Sequence, residues 1–259
     1  MKLCNAHPDM TVTFEFTNFA GLGDDYEAYR RRLEARWAAV KDARVGSRLK
    51  AMWRSLGNRW APYGSVSQMR GIWREPDFKR GYLHELRQYR DRLIDAEVID
   101  EILRSVLPAT RLMGDKYPDY VFELDRLAAD PALKRIIIYR DCRDVVNSVL
   151  RMVRTDWRKQ EFVRNLDTVA KIARRWVEAI EATDRNRDDV HLIRYESLVT
   201  DPAVELKRLA EYLDVDPDGL PVRTMRTDRV GKHRGGLCGD DLAAVSVVSG
   251  ETMRRLGYS

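Results

Sequence analysis

A short segment from Lys134 to Tyr139 (KRIIIY), which contains three consecutive isoleucines, most strongly limits how this chain can fold. Such a β-branched run is typical of a strand that is buried on both faces of a parallel sheet. Apolar residues recur at helical spacing from Asp144 to Val153, then from Val169 to Ala182, before a second strand at Val190 to Arg194. Alternating strands and helices predict an α/β protein, a three-layer sandwich around a parallel sheet, with ligands at the carboxyl ends of the strands.

The rest of the chain extends this pattern on both sides. Thr11 to Phe16 (TVTFEF) alternates as a strand does, and an Asp-Pro pair at 201–202 starts a helix that is predicted to end at Leu213. Residues 26–107 are rich in Arg, Ala, Leu and Glu and are broken by Gly and Pro, so they predict an insertion of several helices. Because no repeat or low-complexity linker interrupts the chain, we expect one domain over residues 1–259.

The composition excludes several classes of protein. The three cysteines, Cys4, Cys142 and Cys238, are too widely separated for a metal knuckle or a disulfide ladder, which favours a reducing, cytoplasmic compartment. No apolar run approaches the roughly 18 residues that a transmembrane helix needs. The first ten residues contain no apolar segment of the kind that a signal peptide requires.

The charge balance argues for a small ligand rather than a nucleic acid. Lys and Arg number 46 against 41 Asp and Glu, a net charge of +5, and the two signs alternate in stretches such as RRRLEARW. This alternation is typical of a solvated helix face, so no nucleic-acid partner is predicted. A modest positive excess suits an enzyme for a small polyanion. The four histidines show no metal-ligand spacing, so no metal is predicted.

The window from Ile136 to Leu150 (IIIYRDCRDVVNSVL) carries the candidate chemistry. Arg140 comes at the carboxyl end of the predicted strand, and Ser148 lies eight residues later on the predicted helix. A guanidinium and a hydroxyl near a helix N-terminus can bind one phosphate together. The alternative is an Arg140–Asp144 ion pair with Ser148 on a helix surface. We also expect an ion pair between Arg143 and Asp144.

This window resembles the 3′-phosphate-binding segment of the sulfotransferase family, in which R-(N/D)-P-R-D is followed by Ser eight positions after the first Arg. The resemblance implies a P-loop NTPase-like fold and transfer of a sulfuryl group from 3′-phosphoadenylyl sulfate (PAPS) to a hydroxyl on a small molecule or peptide. It also implies that Arg140 and Ser148 bind the 3′-phosphate of PAPS. Cys142 stands where the family usually has Pro, which should alter the turn more than the chemistry.

Two further segments resemble family motifs in the same order. Arg194 to Pro202 (RYESLVTDP) is similar to the family motif (R)YEDL-x-x-DP. This resemblance implies that Tyr195 approaches the adenine. The alternative is a Tyr that packs between the strand end and the helix. Gly114 to Pro118 (GDKYP) resembles the G-D-K-(S/T)-P step of bacterial and tyrosylprotein-type members. That resemblance places Lys116 at a strand end as a candidate catalytic residue.

The last basic segment and the proton acceptor complete the candidate site. Val230 to Arg234 (VGKHR) and the ending RRLGY resemble the late basic loop and terminal L-G-Y of bacterial members. Lys232 then contacts the cofactor phosphate, or it is a solvated loop lysine. Glu15 occupies the region where tyrosylprotein-type and some bacterial members place a catalytic Glu that takes the hydroxyl proton. A Glu that caps the next loop is the alternative.

The phosphate loop that opens the family, G-x-x-R-S-G-T-(S/T), has no counterpart here. In relatives this loop leads into a helix that ends near N-A-H-P, and residues 5–8 have that sequence. We therefore expect that a first strand and its loop, about 20 residues, are missing. A misassigned start is favoured over a non-catalytic nucleotide-binding remnant, because losing a central strand leaves backbone groups unpaired. A P-loop kinase-like phosphotransferase is a further alternative, although it needs a Walker loop.

Overall fold

The structure is a computed structural model, which describes the following residues: 3–42, 76–107, 110–155, 157–158, 161–222 and 227–258. They form two compact units. Unit 1 comprises Met1–Leu133 and Leu213–Thr224, and unit 2 comprises Lys134–Tyr212 and Met225–Ser259. The middle of the predicted helical insertion, residues 43–75, lies outside the described residues.

Unit 1 combines a parallel strand pair with helices. Its strands are β1 (Met10–Phe14) and β2 (Leu112–Lys116), paired in parallel with Phe14 opposite Lys116. Its helices are α1 (Tyr26–Asp42), α2 (Pro76–Leu86), α3 (Ala96–Val106) and α4 (Leu124–Ala128). The predicted strand at 11–16 is confirmed but ends two residues early. Glu15 adopts a left-handed φ of 57°, which extended backbone does not allow.

The core of unit 1 explains why the chain turns directly after β1. Phe16 is fully buried, and its ring stacks on Trp37 of α1 at 5.7 Å between centroids. It meets Phe78 and Tyr82 of α2 edge-on, at 5.4 and 4.8 Å. Burial of one such ring contributes about 1.5–3 kcal/mol. Trp37, Phe78 and Tyr82 of the predicted insertion therefore pack the core around the end of β1.

Unit 2 contains the second strand pair. The strands β3 (Ile136–Tyr139) and β4 (His191–Arg194) pair in parallel. The helices are α5 (Cys142–Arg154), α6 (Val169–Arg185), α7 (Tyr195–Thr200), α8 (Pro202–Leu213) and α9 (Gly239–Arg255). The last residue of α8, Leu213, belongs to unit 1. The predicted strands and helices in this region are confirmed with bounds that differ by one to three residues. Helices α7 and α9 were not predicted.

The α/β class with parallel strands is confirmed, but two details differ from the prediction. The described strands form two separate two-stranded sheets, so a single sheet between two helical layers stays a prediction. Ile138 is 52% exposed, so the prediction that β3 is buried on both faces is wrong for the described residues. Among the described residues, no other element covers the face of β3 on which Ile138 lies. No helix in the described parts of the chain is long and apolar enough to cross a lipid bilayer.

Candidate active site

The turn between β3 and α5 carries Arg140, and its backbone is fixed on both sides. Trp176 Nε1, from α6, donates a hydrogen bond to the Arg140 carbonyl at 2.9 Å. The next amide, that of Asp141, donates to Glu196 Oε1 at 3.0 Å. Because one partner is a carboxylate, the second of these bonds is charge-assisted and strong. The strand end is therefore held in one conformation.

Asp141 caps the start of α5, and its contacts correct one predicted ion pair. The carboxylate accepts from the backbone amide of Arg143 at 2.8 Å, which satisfies one of the free amides at the helix N-terminus. The Arg143 guanidinium reaches the same carboxylate at 2.7 Å. The predicted Arg143–Asp144 pair is therefore wrong, because Arg143 pairs with the capping residue and Asp144 accepts from other donors.

The Arg140 side chain is held from three directions. Its Nη2 lies 2.8 Å from Asp144 Oδ2 and also donates to the carbonyl of Arg229. The guanidinium carbon lies 5.1 Å from the centre of the Tyr195 ring, a cation–π distance. The Nε is buried and has no hydrogen-bond partner among the described residues. The predicted ion pair with Asp144 thus exists, and it engages Nη2 rather than Nε.

Asp144 accepts hydrogen bonds both from Arg140 at the end of β3 and from a loop that comes almost ninety residues later in the sequence. Its side chain is 1% exposed. Its Oδ2 also accepts from the amide of Gly231 at 2.8 Å, and its Oδ1 accepts from the amide of His233 and lies 2.9 Å from the Nδ1 of that residue. Burial opposes ionisation, but hydrogen bonds from Arg140, His233 and Gly231 outweigh it and lower the pKa of Asp144. The late basic loop is therefore tied to the start of α5.

Ser148 lies on the same helix as Asp144, and Lys232 lies in the loop whose amides bind Asp144. Ser148 is half-buried on α5, one helical turn after Asp144 and on the same helix face. Lys232 lies between the two residues of the basic loop whose amides bind Asp144. Its ammonium is 46% exposed and lies 3.6 Å from Asp228. Lys232 therefore pairs with a neighbouring surface carboxylate, and its contact with the cofactor phosphate stays a prediction.

The terminal L-G-Y segment contacts the same turn through Glu196. The Tyr258 hydroxyl donates to Glu196 Oε2 at 2.9 Å, while Oε1 accepts from the turn amide described above. The Arg194 guanidinium carbon lies 4.1 Å from the centre of the Tyr258 ring. Burial, followed by the neighbouring carboxylate, raises the pKa of Tyr258 well above its usual value. The hydroxyl therefore stays protonated as the donor.

In unit 1, Glu15 follows β1 directly and lies beside two cations. Its amide donates to the carbonyl of Lys116 at 2.7 Å. Its carboxylate oxygens lie 3.9 Å from Lys116 Nζ and 3.7 Å from Arg36 Nη2. Burial raises the pKa of Glu15, and the two cations reduce that rise without cancelling it. A carboxylate with a raised pKa is suited to general-base chemistry.

Asp115 holds the turn on which Glu15 lies. Its Oδ1 accepts from Thr13 Oγ1 at 2.7 Å and from the amide of Phe16 at 3.2 Å. Its Oδ2 accepts from the amide of Thr17 at 2.8 Å and from the Tyr120 hydroxyl at 2.7 Å. Thr17, like Glu15, has a left-handed φ, of 67°. Asp115 therefore fixes a backbone conformation that non-glycine residues rarely adopt.

A family model described as the sulfotransferase family matches residues 1–218 of the 259. The chain belongs to the sulfotransferase family. A solved structure similar to it is a sulfotransferase domain from the curacin biosynthetic pathway, with 19% sequence identity and a TM-score of 0.39. That match covers 83% of this chain and 80% of the other. No curated protein matches the chain.

The predicted site residues of this sulfotransferase fall into two groups. Glu15 and Lys116 come together in unit 1. In unit 2, Arg140 lies over Tyr195, and Lys232 belongs to the loop that is bound to the same carboxylate as Arg140. Among the described residues, no cluster of three or more His, Cys, Asp or Glu side chains could hold a metal ion.

Apart from the Arg140–Asp144 ion pair, the contacts of the acidic residues that hold these groups in place were not predicted from the sequence. Asp144, Glu196 and Asp115 each accept hydrogen bonds from residues distant in the sequence. All three belong to the segments that resemble sulfotransferase motifs. An Asp or Glu beside a basic or aromatic site residue was the signal available, but their partners lie too far along the chain to be read from spacing.

Replacing Asp115 with Asn is expected to lower the free energy of unfolding of this sulfotransferase by about 2–3 kcal/mol. An amide presents NH₂ in place of one oxygen, so it must face the backbone amide of either Phe16 or Thr17, and neither can turn into an acceptor. Chemical denaturation measures the effect. Asp91→Asn, at an exposed position of the same unit, is the control and should change stability by less than about 0.5 kcal/mol. Equal stabilities of the two variants would contradict this role of Asp115.

Proposed function

We propose that this sulfotransferase transfers a sulfuryl group from PAPS to a hydroxyl acceptor. The observation that carries the proposal is the buried Nε of Arg140, a donor with no partner among the described residues, on a guanidinium that is otherwise held in place. A buried donor without a partner is costly and is satisfied when an acceptor binds. A phosphate oxygen is such an acceptor, and Arg is the side chain best suited to bind it.

The surroundings of Arg140 fit the 3′-phosphate and adenosine of PAPS. The Ser148 hydroxyl on the same stretch of strand end and helix can donate to the phosphate. The positive end of α5 favours the same charge. The Tyr195 ring offers an aromatic surface for the adenine, and Lys232 adds a cation to the basic loop. These assignments rest on the sequence resemblance together with the contacts of unit 2.

The residues of unit 1 support the acceptor half of the reaction. When bound, PAPS supplies the sulfuryl group, whose bond to the nucleotide phosphate breaks as the acceptor oxygen attacks sulfur. Glu15 takes the proton from that hydroxyl, because burial raises its pKa and so makes the carboxylate a stronger base. The Lys116 ammonium holds the Glu15 carboxylate and provides positive charge for the developing anion.

Calorimetric titration tests the donor assignment. We expect adenosine 3′,5′-bisphosphate to bind more tightly than adenosine 5′-monophosphate, and ATP with magnesium to bind more weakly than the bisphosphate. A preference for ATP with magnesium would contradict the proposal and favour a kinase-like phosphotransferase. Transfer of labelled sulfate from PAPS to phenolic, carbohydrate and tyrosyl-peptide hydroxyls tests the reaction. Bisphosphate binding without transfer to any of them would favour a non-catalytic nucleotide-binding protein.

We also propose a cytoplasmic location, which the state of the cysteines supports. Cys4, Cys142 and Cys238 are unpaired. Cys142 is buried at the start of α5, and burial raises its pKa to about 12, so the thiol is unreactive. Free thiols of this kind persist in reducing compartments.

A further inference from the structure

We propose that Asp144 is a positioning residue that binds Arg140 and the loop at 229–233 into one phosphate-binding arrangement. The inference rests on the proposed function, because it concerns the same 3′-phosphate. Arg140 comes from the end of β3, and Gly231 and His233 come from a loop almost ninety residues later. A single buried carboxylate accepts hydrogen bonds from all three.

The hydrogen bonds to Asp144 fix both the Arg140 side chain and the loop that carries Gly231 and His233. Oδ2 accepts from Arg140 Nη2 and from the Gly231 amide, so one oxygen joins the side chain to the loop. Oδ1 accepts from the His233 amide and contacts its ring Nδ1, which fixes the other end of the loop turn. Gly231 has a φ of 72°, a conformation that suits glycine and keeps its amide directed at Asp144.

Charge explains why this carboxylate belongs to the binding arrangement and is more than a fold contact. Asp144 neutralises Arg140 in the absence of a ligand, so the guanidinium can stay buried and in place without a phosphate. The contact uses Nη2 and leaves Nε without a partner among the described residues. Lys232 lies between the two loop amides that Asp144 holds, so the same contacts fix the backbone that carries its side chain. Asp144 therefore orients the cations without occupying all of their donors.

An Asp144→Asn variant tests this arrangement with little change in shape. Whichever way the amide is turned, its NH₂ group must face the backbone amide of Gly231 or His233, so either the loop or the Arg140 contact is lost. The affinity for adenosine 3′,5′-bisphosphate should then fall by about 10- to 100-fold. The affinity for adenosine 5′-monophosphate, which lacks the 3′-phosphate, should change by no more than about twofold.

The ratio of these two dissociation constants is the decisive readout. A merely structural role would weaken both nucleotides equally and leave the ratio unchanged, which would overturn the positioning role, as would unchanged binding of the bisphosphate. If the wild-type protein itself shows no preference for the bisphosphate, the proposed function fails and the role of Asp144 falls with it. Asp167→Asn, which removes an exposed ion pair with Lys171 in the same unit, is the matched control and should leave the ratio unchanged.

A second variant covers the case in which Asp144→Asn does not fold. His233→Leu removes the ring contact to Oδ1 but keeps the loop amide and the Arg140–Asp144 pair. We expect it to weaken the bisphosphate by about 3- to 10-fold and to leave the monophosphate unchanged, since one hydrogen bond to a charged group is lost. Equal effects on the two nucleotides in this variant would overturn the proposal.

Discussion

Replacing Arg140 with Ala is expected to weaken the binding of adenosine 3′,5′-bisphosphate by about 100-fold. The substitution removes the buried Nε donor that we assign to the phosphate and the positive charge that accompanies it. Arg140→Lys keeps the charge but has no planar fork, so it should recover only part of the affinity. Calorimetry on each variant measures the loss, with adenosine 5′-monophosphate as the reference ligand.

The control for Arg140 must separate binding from folding, because the Ala variant leaves Asp144 buried with one donor fewer. Removing one partner of a buried ion pair costs about 3–5 kcal/mol of stability. Far-UV circular dichroism and thermal unfolding therefore accompany each titration. Arg143→Ala is the matched control, since this guanidinium lies in the same turn but pairs with Asp141. Bisphosphate binding that is equally strong in the wild type and in a folded Arg140→Ala variant would refute the assignment.

Replacing Glu15 with Gln is expected to lower the rate of sulfate transfer by about 10²- to 10⁴-fold while leaving nucleotide affinity unchanged. The amide keeps the size of the side chain but cannot accept the hydroxyl proton. Initial rates with PAPS at saturating acceptor measure the effect. Glu34→Gln is the control, because Glu34 is an exposed residue of α1 that pairs with Arg30. A Glu15→Gln variant with wild-type rates would exclude Glu15 as the base.

The pH dependence of transfer follows from the same residue. A base must be ionised to act, so activity should rise with pH through the pKa of Glu15. Because burial raises that pKa in spite of Lys116 and Arg36, the acid limb should lie above the ordinary glutamate value of 4.5. The Glu15→Gln variant should lose this limb from its profile of kcat/KM against pH. A limb that persists in this variant would belong to another group.

The elements predicted from the sequence are those that local patterns encode. KRIIIY and the Asp-Pro pair at 201–202 placed β3 and α8 within two residues, since apolar periodicity and helix starts are local properties. Helix α9 (GDDLAAVSVVSGETMRR) was not predicted, because its residues are small and weakly periodic, so that packing decides its conformation. The early end of β1 was not predicted, because the left-handed turn at Glu15 depends on Asp115, which is about a hundred residues away in the sequence.

The candidate site was predicted less completely than the fold, because it depends more on contacts between residues that are distant in the sequence. The sequence pattern placed Arg140 at the carboxyl end of a strand, and the structure agrees with that position. What spacing cannot show is which acid accepts from which donor. Asp144 takes its loop partners from almost ninety residues later, and Asp115 holds a turn from a distant part of the chain. Such contacts exist only once the chain has folded.

The turn after β1 also indicates which stabilising substitutions should lower activity. Glu15 combines a backbone conformation that costs a non-glycine residue about 1–2 kcal/mol with a carboxylate whose burial disfavours its charge. Selection for thermal stability alone would favour glycine or asparagine at this position. The proposed role of Glu15 as the base therefore predicts that, at this position, a gain in stability lowers activity. Screens for more stable variants should therefore recover substitutions at Glu15 early, and those variants should be the ones that no longer transfer sulfate.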